Sequence, residues 1–353
     1  MTTFEPRFAA TAIGSLPHKD VGEACRLMLD SLQEIPVWPQ LSRRSFLENM
    51  YVQYSEGLPG IRVDEETERV WFEVGAELSS ELEGFYQAVI EDEAERFAIS
   101  GRYAAGLAEF LSGGVASELE GRPYLKGQVT GPISFGLTVT DQNKKASLYN
   151  EILEEAIVKG LALKAKWQCA QLRKAAPGSK VMLFVDEPYL VSVGSALVSV
   201  GREQVVMDIG EVLKRCGADV TGVHCCGNTD WSLIFDTGVN LVSFDAFDYL
   251  EEFVAYDQDI AKHLENGGAI AWGIVPNNER ALEVGAEELA VMLEAGLETL
   301  EGRGIDRDLL VRRSLVTPAC GLGPMTEEIA EKALSLTGQV STMMRGKYFS
   351  DER

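Results

Sequence analysis

The chain has 353 residues and a mass of 38.6 kDa, with 46% hydrophobic and 25% charged residues. Its 55 acidic against 32 basic side chains leave a net charge of −23, which repels phosphate backbones and anionic lipids and excludes nucleic-acid and membrane-surface binding. No apolar run approaches the ~20 residues that cross a bilayer, and residues 1–8 carry neither the basic stretch nor the apolar core of a signal peptide, so a cytoplasmic location is expected.

In chain order, eight short apolar runs read as strands buried on both faces: Thr11–Ser15, Ile35–Trp38, Leu125–Val129, Val181–Asp186, Val220–Cys226, Leu241–Phe247, Ala269–Val275 and Leu315–Cys320. Amphipathic helical patterns fall between or after them, at Val21–Gln33, Ser147–Ala176, Glu203–Cys216, Tyr249–Asn266, Glu287–Glu301 and Thr326–Met344. This alternation predicts right-handed βαβ units and a parallel sheet. Eight units closing into one (β/α)8 TIM barrel is the economical arrangement, with residues 1–353 as a single domain. The acidic, mostly helical stretch Phe46–Ser117 reads as an insertion between the second and third runs. An open doubly wound sheet is the alternative, and the absence of a Gly-x-Gly-x-x-Gly after the first run weighs against it.

Six cysteines, at 25, 169, 216, 225, 226 and 320, are too few and too scattered for a disulfide framework. Cys25, Cys169 and Cys216 lie in helical patterns and are expected in the core. The others fall where chemistry is expected, because active sites of such barrels form at the C-terminal strand ends. There stand Ile13-Gly14-Ser15, Gln128 to Pro132, Asp186-Glu187-Pro188, His224 to Asn228, Asp245, Asn277-Asn278 and Cys320-Gly321.

Side chains alternate along a strand, so His224 and Cys226 share a face and Cys225 points away. An imidazole and a thiolate side by side are two ligands of a tetrahedral zinc; a buried histidine bonded to a carbonyl is the other reading of His-x-Cys. Cys320, at the end of the last run, adds a second sulfur at the same mouth, and Asp245 is the candidate fourth, oxygen ligand. Two thiolates cancel the charge of Zn²⁺, and a carboxylate is a ligand that an incoming thiol can displace. The resulting electron-rich sulfur suits attack on a methyl group. Asp186-Glu187-Pro188 fits a second part of the site, or a simple turn. His18 fits a proton shuttle or an exposed loop, His263 a helix surface, and Trp38 and Trp272 either pocket walls or packing. Arg43-Arg44 fits an anion site or surface ion pairs.

Six short motifs in order, Ile13-Gly14-Ser15, Val129-Thr130-Gly131-Pro132, Val185-Asp186-Glu187-Pro188, His224-x-Cys226, Val242-Ser243-Phe244-Asp245 and Pro318-x-Cys320-Gly321-Leu322, resemble the catalytic C-terminal half of cobalamin-independent methionine synthase. The wider group holds zinc methyltransferases that pass methyl groups from corrinoid proteins to thiols, and the metal-free uroporphyrinogen decarboxylases, all on eight-stranded barrels. The resemblance implies His224, Cys226 and Cys320 as zinc ligands, with Asp245 where the family has a displaceable glutamate. It implies homocysteine as the thiol, its amino group held by Asp186 and the backbone around Ile13 and Ser15.

Three departures stand out. Thr138 falls about where the family stacks a tryptophan on folate, and Gly273 to Asn278 lacks the family's acid histidine. A folate amine needs protonation on leaving, and cobalt(I) does not, so both losses favour a methylated corrinoid protein as donor over methylfolate. The family's His-Gly-Glu is missing, and Glu48 is a candidate substitute or a surface helix carboxylate. Two rival functions remain in view: a decarboxylase of the uroporphyrinogen type, with Asp186 stabilising a pyrrole cation, and a zinc-binding partner protein that turns over nothing.

Overall fold

A computed structural model describes residues 4–195 and 198–350; the first three residues of the leader reading lie outside them. Among the described residues there are nine strands: β1 (Ile61–Asp64), β2 (Arg69–Phe72), β3 (Tyr124–Thr130), β4 (Thr140–Asp141), β5 (Lys180–Asp186), β6 (Val220–Cys225), β7 (Leu241–Phe244), β8 (Ala269–Val275) and β9 (Ser314–Pro318). A six-stranded sheet runs β3-β5-β6-β7-β8-β9, parallel throughout. Strands β6 to β9 are buried along their whole length, as the unbroken apolar runs require.

The first two expected strands do not form ladders. Thr11–Ser15 and Ile35–Trp38 make single parallel bridges instead: Ala10 to Val316 on β9, Val37 to Lys126 on β3, and Ser15 to Gln40. The cause is local. Pro36 and Pro39 remove ladder donors from the second segment, and Gly14, at φ 140°, breaks the extended course of the first. The parallel alternation is therefore observed over six strands, with the two bridged segments along its edges.

Helices carry the return connections. Val21–Ser31 begins where the Asp20 carboxylate accepts the Glu23 amide at 2.8 Å, and it buries Ala24, Cys25, Met28 and Leu29. Glu151–Ala175, capped by Asn150, lies against β3 and β5. Gly160 in it has no room for a side chain, since a Cβ there would meet Leu58 at 2.2 Å. Arg202–Arg215, Ala286–Gly302 and Glu327–Tyr348 match their sequence patterns within a few residues. The pattern at Tyr249–Asn266 divides into Leu250–Val254 and Asp257–Glu265.

The stretch Phe46–Ser117 corrects the expectation of a mostly helical segment. It holds helices at Leu78–Ile90, Ala105–Phe110 and Gly113–Leu119, but also the antiparallel β1–β2 hairpin, which β4 extends. The alternation Ile61-Arg62-Val63-Asp64 is a period-two pattern, and Asp64 closes the turn by accepting the Glu66 and Thr67 amides.

Two apolar layers result. The larger joins the outer sheet face to the helices. It takes in Trp38, whose Nε1 donates to Gln168, and Trp272, whose Nε1 donates to Ser314, so neither tryptophan lines a pocket. Four rings pack together there: Phe244 stacks on Phe253 at 3.8 Å, with Trp231 and Trp272 edge-on. The smaller layer is inside the curl of the sheet: Ala9, Ile13, Ile35, Met182, Phe184, Val220, Leu241, Ala269, Ala271 and Leu315. It fills the interior below the strand ends, and polar side chains take over above it. Among the described residues no helix is long and apolar enough to cross a membrane.

Candidate metal centre

Above the Phe184 layer the inward positions change character. Register sets Thr130, Asp186, His224 and Ser243 side by side on β3, β5, β6 and β7. His224 and Cys226 share a face, as alternation requires, while Cys225 turns into the outer layer. Cys320 lies two residues past the end of β9. The result is compact: one donor atom each from His224, Cys226 and Cys320, all within 4.8 Å of one another.

The chemistry of this trio fits a soft or borderline divalent metal. Burial holds the His224 imidazole down at about 3, with the Lys126 charge adding to the effect, so it is neutral. Its Nδ1 lies 3.0 Å from the Ser243 hydroxyl, and its Nε2 is buried without a partner. A donor proton on Nδ1 directed at Ser243 leaves the Nε2 lone pair for a metal. The two sulfurs share a hydrogen bond. It holds the Cys226 thiol below its ordinary value and, with burial, pushes Cys320 well above it. A group of two sulfurs and one neutral imidazole can hold a metal ion and is a zinc-type ligand set. Replacing Ser243 by Ala removes the orienting partner; zinc affinity, measured by chelator competition, is expected to fall about 10–100-fold.

Asp245 is not in this group. Its Oδ1 accepts the Phe247 and Asp248 amides, both at 3.0 Å, which ties the carboxylate to its own turn. Burial pushes its pKa up to about 6 against those bonds. Asp186 stands at the strand end as expected, with Oδ1 buried and unpartnered, and burial pushes it up to about 7. Ile13 and Ser15 lie in the bridged segment, and their oxygens are engaged: Lys126 Nζ donates to the Ile13 carbonyl at 2.8 Å, Leu322 to the Ser15 carbonyl at 3.0 Å, and Gly323 to the Ser15 hydroxyl at 3.1 Å. Glu48 is fully buried, which overturns the surface reading. It accepts from Arg44 at 2.5 Å, and burial raises its pKa.

Other candidates resolve plainly. Arg43 donates to the Pro324 carbonyl and Arg44 to Glu48, so the pair serves the protein's own groups. His18 is buried rather than exposed, its Nε2 3.7 Å from Glu331. His263 is half-buried and bonds the Ala269 carbonyl. Cys25, Cys169 and Cys216 are buried and free.

One residue escaped sequence reasoning. Lys126 sits inside β3 with no exposure, its ammonium 4.1 Å from the centre of the Phe184 ring. A lysine in an otherwise apolar run is the signal that marks it, since lysine is almost never fully buried without a partner. Glu187, named in sequence only as part of the Asp186-Glu187-Pro188 strand end, is buried and holds its neighbours. Its carboxylate accepts the Ile133 amide at 3.0 Å, the Ser134 amide at 2.8 Å and the Ser134 hydroxyl at 2.5 Å, at the start of helix Pro132–Thr138. Its own amide donates to the His224 carbonyl at 2.8 Å. Gly131 makes the approach possible, as a Cβ there would fall 2.1 Å from the carboxylate.

Glu187→Ala strands three buried donors and is expected to cost at least about 2 kcal/mol in urea denaturation. Burial raises Glu187 from 4.5 to about 7, so across that interval the folded protein keeps a proton that the unfolded chain has released. The group's contribution therefore falls as pH rises, and the loss on mutation is larger at pH 5 than at pH 8.

Comparison with known proteins places this geometry on a familiar scaffold. No protein-family model matches the sequence, and no curated protein matches it. Among solved structures, a methyltransferase from Methanosarcina mazei superposes with a TM-score of 0.57 at 14% identity, over 96% of this chain and 94% of that one. A B12-independent methionine synthase from Shewanella sp. W3-18-1, in complex with selenomethionine, gives 0.57 and 14%, over 97% of this chain and 99% of that one. The chain has their fold. One of the two carries the activity of the family that the six motifs resemble, and both align over nearly their full length.

Proposed function

We propose that this protein is a zinc-dependent methyltransferase that moves a methyl group to the sulfur of a small thiol. The observation that carries the reading is the trio His224, Cys226 and Cys320, brought within 4.8 Å at the strand ends of this fold. The methyltransferase and methionine synthase neighbours support it. In this reading the bridged segments at Ala10–Ser15 and Val37–Gln40 complete an eight-unit barrel, and residues 1–353 form one domain.

His224, Cys226 and Cys320 would hold the zinc. Bound there, zinc lowers the pKa of a thiol so that its sulfur is nucleophilic at neutral pH. The chain's own residues do the rest. Ser243 fixes the His224 ring, and the apolar floor around Phe184 excludes water beneath the reacting sulfur. Asp245, whose Oδ1 is bonded to its own turn, would offer its other carboxylate oxygen as a displaceable fourth ligand beside the three donors. Asp186, with an unpartnered oxygen, lines the thiol side. The new carbon–sulfur bond forms as the donor's bond to the methyl carbon breaks, and the donor keeps that electron pair. A methylated corrinoid protein or a methylfolate fits as donor. Beside the site, Tyr51, Trp71 and Thr138 line a hollow of about 410 Å³ whose two rings can take a planar group. Homocysteine, giving methionine, is the acceptor that the motif resemblance implies.

The six cysteines, all free, suit a reducing compartment such as the cytoplasm. A metal-free decarboxylase has no use for two sulfurs beside a neutral imidazole. The direct test is incubation of zinc-loaded protein with small thiols and either methylcobalamin or methyltetrahydrofolate, with S-methyl product read by mass spectrometry. Product from one donor supports the reading; its absence with both donors overturns it.

A further inference from the structure

We propose that Cys226 and Cys320 are also a redox site. Without metal, a small disulfide such as oxidised glutathione joins them reversibly to each other. Bound metal and that bond then exclude one another. The inference rests on the proposed metal site and not on the methyl transfer carried out there.

Two observations single out this pair. The first is access. Of the six cysteines, Cys25, Cys169, Cys216 and Cys225 are buried, and only Cys226 and Cys320 are half-buried. The second is proximity: the same two sulfurs lie within 4.8 Å of each other at the strand ends. They share a hydrogen bond, and rotation of the side chains brings them to the about 2 Å of a sulfur–sulfur bond. The bond spans the mouth of the curled sheet, from the end of β6 to the segment after β9.

Cys225 adjoins Cys226 in sequence and cannot compete. It faces the outer layer, and its thiol donates to the Gly227 carbonyl at 3.5 Å. Cys169 and Cys216 also share a hydrogen bond, at 1% and 0% exposure. That buried pair has proximity without access, which makes it an internal control.

The chemistry needs no other reactant. One thiolate of the pair attacks a sulfur of oxidised glutathione, so that a mixed disulfide forms and glutathione thiolate leaves. The second protein thiolate attacks the protein sulfur of that mixed disulfide and expels the other glutathione. The two protein thiols lose two electrons and two protons, and one oxidised glutathione becomes two reduced molecules. Joined sulfurs are no longer thiolate ligands, and His224 alone cannot complete a metal site. Conversely, a bound metal occupies both thiolates and leaves no nucleophile. Oxidation therefore holds the unmetallated protein in a recoverable form, the transient use that disulfides have in reducing compartments.

The experiment uses the full chain, reduced and stripped of metal, with native circular dichroism verified, beside the same protein reloaded with zinc. Each is incubated with oxidised glutathione, alkylated in denaturant and digested without reduction. Mass spectrometry reads the cross-links, with fragment ions separating Cys225 from Cys226. The expected result in stripped protein is a Cys226–Cys320 cross-link, with Cys169 and Cys216 alkylated. Zinc at about a hundred times its Kd leaves about 1% of the sites open and slows the cross-link about 100-fold. Dithiothreitol restores zinc uptake, and Cys320→Ser stops at a glutathione adduct on Cys226. A cross-link through Cys225, a faster one between Cys169 and Cys216, or free thiols throughout the stripped protein overturns the redox site and leaves the metal reading intact. A Cys226–Cys320 cross-link that zinc does not slow overturns the mutual exclusion, and the metal reading with it.

Discussion

Protein purified without chelators is expected to carry about one zinc per chain, and Cys320→Ser to carry almost none. The reason is that three protein donors form this site, and removal of one leaves two, which cannot complete a tetrahedral set even with solvent in the remaining places. The loss in zinc affinity should exceed the ~10–100-fold that follows from removing an outer partner, and thiol methylation should vanish with it. Serine keeps the size and the polarity, so the fold should survive; a circular dichroism spectrum like that of the wild type separates lost metal from lost structure. Retained zinc, or full transfer in a zinc-free Cys320→Ser protein, would falsify the metal assignment.

Phe244→Ala is expected to be the most destabilising single change outside the site, at about 3–5 kcal/mol in denaturant unfolding. Phe244 is fully buried, stacks on Phe253 at 3.8 Å and meets the edges of Trp231 and Trp272. Its neighbours in sequence are Ser243, which orients His224, and Asp245. A cavity behind that strand should therefore loosen zinc as well as lower the unfolding midpoint. A shift of the midpoint with an unchanged denaturant slope reads as lost stability rather than altered unfolding. A cost under about 1 kcal/mol would show that the ring cluster repacks around the gap.

The parts of this molecule that follow strict periodicities were readable from the sequence. Alternation along a strand put His224 and Cys226 on one face and sent Cys225 to the other, and the structure has them so. Six parallel strands followed from runs such as Ala269–Val275. Where a residue's surroundings come from distant chain, the pattern was silent. Pro36 and Pro39 were present in the second run, yet their cost to pairing depended on which strand lay beside them. Asp245 stands at a strand end like the ligands, but the following Ala246-Phe247-Asp248 lets its carboxylate close a local turn, a short-range competitor to coordination. For Glu48 and His18 a surface position was one of two readings, because polarity usually means exposure, and both are buried. Lys126 was passed over inside an apolar run because a single charge barely alters a run's average, although one charge decides what else can be buried next to it.

The apolar floor around Phe184 has a kinetic consequence. With the interior packed shut below the reacting layer, two reactants that both approach from the strand-end side must form a queue. In the proposed reaction the thiol, whose sulfur would lie against His224, Cys226 and Cys320, has to enter before the donor closes over it. The methylated product can leave only after the spent donor has gone. Steady-state rates should therefore follow an ordered sequential law in which excess donor, by occupying the doorway first, inhibits competitively against the thiol.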